Sequence, residues 1–95
     1  MDKLLIVFTM EGCPFCQIMK DKLKESDIEF HERDIDEYEE EYSLFSEVTE
    51  SDMVPAFMII SDLENSPTSK LFAPEKDFHD LDEGVSIIKE HLNRI

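Results

Sequence analysis

From Lys3 to Thr9 the chain is an unbroken run of branched and aromatic residues that stops at Glu11-Gly12 and leads straight into Cys13-Pro14-Phe15-Cys16. Such a run, too short to cross a membrane and bounded by a turn, has the pattern of a strand buried on both faces. A strand of that kind needs covering layers above and below it, so the chain must supply helices for both sides. From Pro14 to Glu25 the apolar residues Phe15, Ile18, Met19 and Leu23 recur at helical spacing. Proline fits the first helical position because its missing N–H would have been unpaired there anyway.

The same reading continues along the chain. Ile28, Phe30 and Ile35 alternate with polar residues and predict a second strand near a sheet edge. Asp36 and Glu39 have the spacing of a capping box, and Tyr38, Tyr42, Phe45 and Val48 predict a helix running to about Glu50. Pro55 opens Ala56 to Ile60, a third strand with proline where it removes least pairing. A polar connection from Ser61 to Ser69, a short strand over Lys70 to Ala73 and the interruption Pro74 to Asp77 follow. Leu81, Val85, Ile88, Leu92 and Ile95 then predict a C-terminal amphipathic helix. The expected order is β-α-β-α-β-β-α, an α/β fold in one domain over residues 1–95.

Charge narrows the partners. The net charge is −15, and residues 25–52 alone hold thirteen acidic side chains against one basic. Such a field repels phosphate backbones and anionic lipid surfaces, so nucleic-acid and membrane binding are not expected. Most of the acidic block is read as solvated helix surface, with Glu37, Glu39, Glu40 and Glu41 near the positive end of the helix dipole. Two cysteines can close only one bridge, too few for a disulfide-stapled secreted scaffold, and a reducing, cytoplasmic setting is expected.

The chemistry rests on Cys13 and Cys16, one helical turn apart at a strand-to-helix join. At Cys13 the unpaired N–H groups of the helix start favour a thiolate, which lowers its pKa below the free value of about 8.5. Cys16, one turn inward, is expected to be less exposed and protonated. Attack by Cys13 on a disulfide gives a mixed disulfide, which Cys16 resolves. An inert core pair would not need Gly12 before it and Pro14 inside it. A zinc site lacks its other ligands, since His31, His79 and His91 are scattered, so no metal is expected.

With CPFC after a strand and Val54-Pro55 before a later one, the chain resembles the glutaredoxin branch of the thioredoxin-like superfamily. Thr9 to Leu23 is similar to its strand-to-helix active site, and Glu32 to Ile60 to its second helix and proline strand. The resemblance implies a mixed four-stranded sheet flanked by three helices in a small monomeric dithiol oxidoreductase. Its substrates would be protein or low-molecular-weight disulfides, and no cofactor would be tightly bound. Cys13 would be the nucleophile and Cys16 the resolving thiol, with Pro14, Phe15, Val54, Pro55 and Lys20 on the substrate side. Pro55 would be cis and face the cysteines, leaving the Val54 backbone to pair with an extended substrate.

Two features depart from the family pattern. Met10 replaces a common lysine three residues before the first cysteine, and Leu71-Phe72-Ala73-Pro74 replaces a Gly-Gly pair that meets glutathione. Lys20, Lys22 and Lys24 are the local bases, and complementing the end of their own helix is the better reading of them than substrate binding. The electron donor is therefore left between glutathione and a thioredoxin-reductase-like flavoprotein, the latter with a ribonucleotide-reductase-type recipient. Two rival readings remain. One is a [2Fe–2S] carrier in which Cys13 and external thiols hold the cluster, and the other is a binding module that docks a basic partner on the acidic helix.

Overall fold

A computed structural model describes residues 3–61 and 66–93. It contains β1 (Leu4–Thr9), α1 (Pro14–Glu25), β2 (His31–Asp34), α2 (Glu39–Thr49), β3 (Ala56–Ser61), β4 (Thr68–Phe72) and α3 (Leu81–Asn93), the expected order. The expected connection from Ser61 to Ser69 is shorter than read: Ser61 ends β3 and β4 runs over Thr68–Phe72 rather than Lys70 to Ala73, while residues 62–65, like Ile95, lie outside the described residues. The four strands form one mixed sheet in the order β2-β1-β3-β4. β1 runs parallel to β2 and antiparallel to β3, and β3 pairs antiparallel with β4.

The continuous apolar run of β1 follows from its central place. Strand side chains alternate between faces. Leu5 and Val7 therefore meet Met19, Leu23, Phe57, Phe78 and Ile88 on one side. Ile6 and Phe8 meet Tyr42, Phe45 and Ala56 on the other. Phe8 is the anchor of α2: its ring centroid lies 4.9 Å from that of Phe45 and 5.4 Å from that of Tyr42. Thr9 continues the alternation onto the α1 side, and is the polar residue buried at the end of this strand.

Three further local expectations change. β2 is only His31–Asp34, at the edge as expected, with Ile28 and Phe30 before it and Ile35 after it as partly buried packing residues. The Asp36–Glu39 capping box is not formed. The Asp34 carboxylate accepts from the Asp36 N–H at 2.8 Å, and the Asp34 carbonyl accepts from the N–H groups of Glu37 and Tyr38. This turn delays the helix to Glu39, and its N-cap, Tyr38, makes no side-chain cap bond. The helical stripes are also narrower than expected. Phe15, Ile18, Tyr38 and Val48 are exposed, and the sheet is covered by Cys16, Met19 and Leu23 of α1 and by Tyr42 and Phe45 of α2.

α3 starts with a side-chain cap. The Asp80 carboxylate accepts from the Glu83 N–H at 2.8 Å, and Glu83 accepts in turn from the His79 N–H at 2.6 Å. Lys22 of α1 bonds Asp82 at 2.7 Å, which ties the two helices on this face and raises the lysine's pKa through that hydrogen bond. Gly84 lets α3 approach closely, since a Cβ there would stand 3.1 Å from the Phe78 ring and 3.3 Å from the Met19 methyl.

Candidate active site

β1 ends at Thr9, and the chain must turn before α1 can lie on the sheet. Gly12 makes that turn at φ +78, a conformation that costs a side-chain-bearing residue but not glycine. The Cys13 N–H donates to the Met10 carbonyl at 3.2 Å and closes the loop. Cys13 is then the N-cap of α1, in extended backbone conformation, with Pro14 at the first helical position. Its sulfur takes the place of the usual capping oxygen, accepting from the Cys16 N–H at 3.1 Å.

Cys13 and Cys16 are joined as a disulfide, with Cα atoms 5.2 Å apart. Their surroundings differ. Cys13 is partly exposed whereas Cys16 is 2% exposed, held on the inward face of α1 with Met19 and Leu23. An incoming reagent therefore meets the Cys13 sulfur first. Among the described residues, no group of three or more His, Cys, Asp or Glu side chains is arranged to hold a metal ion.

Two clefts flank the start of α1. The first, about 550 Å³, is lined by both cysteines, Pro14, Lys20, Glu11 and Asp34, together with Thr9 and Glu32. The second, about 260 Å³, is lined by Phe15, Met53, Val54, Pro55, Phe78 and Asp80. The expected site residues are thus divided: Pro14 and Lys20 stand with the cysteines, while Phe15, Val54 and Pro55 share the other cleft. The Val54–Pro55 peptide bond is cis. Pro55 is buried at the head of β3, and the β1–β3 ladder begins one residue later, where Ala56 pairs with Phe8. Val54 lies outside that ladder.

Thr9 and Glu32 were not singled out by the sequence. Both the Thr9 hydroxyl and the Lys20 ammonium donate to one Glu32 carboxylate oxygen, at 2.8 and 2.9 Å. The Lys20 hydrogen bond, followed by that of Thr9, holds the Glu32 carboxyl below the ordinary carboxylate range. Lys20 is thereby committed to a partner on β2 rather than to the end of its own helix. A polar residue ending an apolar strand was the available hint, since a buried hydroxyl needs a partner. Its identity follows only from the parallel register that sets Val7 beside Glu32 and Thr9 beside Asp34.

Among solved structures, the chain is similar to a malarial protein at 19% identity, covering 95% of this chain and 97% of that one with a TM-score of 0.50. It is also similar to a thioredoxin from Thermus thermophilus at 14% identity, covering 97% and 75% with a TM-score of 0.55. At these identities the likeness shows the thioredoxin-like fold alone. No curated protein matches the sequence. The glutaredoxin family model matches residues 5–62, a stretch that runs from β1 through the cysteine pair to the end of β3 and covers more than half the chain. On that match, the chain belongs to the glutaredoxin family.

Proposed function

We propose that this protein is a dithiol oxidoreductase that reduces disulfides with Cys13 as nucleophile and Cys16 as resolving thiol. The observation that carries this is the Cys13 sulfur at the α1 N-cap, reachable from solvent and accepting the Cys16 N–H at 3.1 Å. In the reduced chain that N–H and the positive end of the helix stabilise a thiolate on Cys13. Membership of the family and the placement of the pair support the same chemistry.

The reaction moves two electrons from the cysteine pair to the substrate. The Cys13 thiolate attacks one substrate sulfur, the substrate S–S bond breaks, and the departing thiolate takes a proton from water. Cys16 then loses its proton and attacks the Cys13 sulfur, expelling the second substrate thiolate, which is protonated in turn. The closed Cys13–Cys16 disulfide is the product state, and an external thiol donor must reopen it. Glutathione and a thioredoxin-reductase-like flavoprotein are the two donor classes. Val54, outside the β3 ladder, offers its backbone N–H and C=O to an extended substrate, and Phe15 lines the same cleft as Pro55.

The test is turnover of a small uncharged disulfide, with each donor system supplied separately and Cys13→Ser as the comparison. The expected result is turnover by the parent chain with one donor and none by Cys13→Ser. Equal rates for the two chains, or no turnover with either donor, would overturn the assignment.

A further inference from the structure

The charge around the cysteine pair is lopsided. Five carboxylates line the two clefts, Glu11, Glu32 and Asp34 in one and Glu75 and Asp80 in the other, and the accompanying lysine is Lys20. Its ammonium lies 2.9 Å from Glu32. Lys22 and Lys76 are engaged as well, while Lys24 acts on the Glu32 carboxylate through its charge alone. Lys22 bonds Asp82 at 2.7 Å, and Lys76 donates to the Thr49 carbonyl and lies 3.9 Å from Glu50. Beside these acids stand exposed apolar side chains: Phe15 is 62% exposed, Met53 48% and Met10 43%.

From this arrangement we propose that the substrate is a polypeptide disulfide flanked by basic residues, with an apolar side chain that seats between Phe15 and Met53. The proposal rests on the exchange chemistry above and names its substrate class. Glutathione, a small peptide with two carboxylates and one ammonium, has net negative charge at neutral pH. It meets a site of net negative charge whose lysine already serves Glu32. In a longer extended chain the backbone pairs at Val54, and lysine or arginine side chains reach Glu11 and Asp34 on one side and Glu75 and Asp80 on the other.

The test uses the reduced full-length chain in single-turnover oxidation, with loss of the chain's own two thiols, read as its mass after quenching with an alkylating reagent, as the readout. Four oxidants are compared: a small uncharged disulfide, glutathione disulfide, and two synthetic peptide disulfides that share one apolar residue but carry flanking lysines or flanking glutamates. At an ionic strength of about 20 mM the lysine peptide is expected to react about tenfold or more faster than the glutamate peptide and than glutathione disulfide. At about 500 mM, where screening is strong, the gap should narrow severalfold. In a Glu11→Lys, Glu75→Lys chain, the rate for the lysine peptide relative to the uncharged disulfide should fall. Equal rates for the two peptides at low salt, or glutathione disulfide matching the lysine peptide, would overturn the substrate assignment while leaving the exchange reading intact. No reaction with the uncharged disulfide would overturn both.

Discussion

At the scale of single residues, the site depends on a turn that only glycine makes cheaply and on a sulfur that caps a helix. Nothing lies within 4 Å of where a Gly12 Cβ would be, so Gly12→Ala meets no obstruction. Its cost is the backbone conformation itself, about 1–2 kcal/mol, to be read as a lower urea midpoint with an unchanged slope. Glu32 makes a prediction about acid. Its folded pKa lies below the ordinary value of 4.5, chiefly because Lys20 donates to it, so its contribution to stability is present above that value and lost as pH falls through the folded one. The carboxylate is half-exposed and the effect is small. Glu32→Gln should be less stable than the parent at pH 7, and the difference should shrink towards pH 3 in paired urea titrations. The two cysteines were legible in the sequence because a strand ending at a glycine turn and a proline at the helix start fix where they stand. The Thr9–Glu32–Lys20 cluster was not, because it joins three elements through the β1–β2 register, which no local pattern encodes.

At the scale of elements, the helices divide into faces that spacing alone assigns too generously. Tyr42 and Phe45 carry the packing of α2 on Phe8, while Leu44 and Val48 are 66% and 70% exposed. Phe45→Ala should therefore cost about 3–5 kcal/mol. Val48→Lys should lie within about 0.5 kcal/mol of the parent, although both positions belong to the same apolar pattern. Chemical denaturation of the two variants decides it, and similar losses would put the helix in a different rotation. At Gly84 a branched side chain must displace Phe78 or Met19, so Gly84→Val should cost about 1–3 kcal/mol through strain between α1 and α3. The start of α2 was misplaced in the sequence reading for a physical reason. Asp36 and Glu39 have capping-box spacing, but Asp34 captures the Asp36 N–H first, and the helix begins after the turn this makes.

At the scale of the whole molecule, the strand and helix order was legible because β1 and β3 are buried on both faces and read as continuous apolar runs, which forces helices onto both sides of the sheet. The net charge of −15 works against compactness, most strongly along residues 25–52. Moderate salt should therefore raise the thermal midpoint, and a midpoint that falls with salt would mean that the ion pairs outweigh the repulsion. The fold's main functional consequence is an asymmetry between two sulfurs, one open at the head of α1 and one enclosed under it. The most direct test of that asymmetry is the mass of the reduced Cys16→Ser and Cys13→Ser chains after exposure to an excess of a small uncharged disulfide at neutral pH. The account predicts rapid and complete formation of one adduct on Cys13 in the Cys16→Ser chain, and little on Cys16 in the Cys13→Ser chain. Equal adduct formation in both, or none in the first, would contradict it.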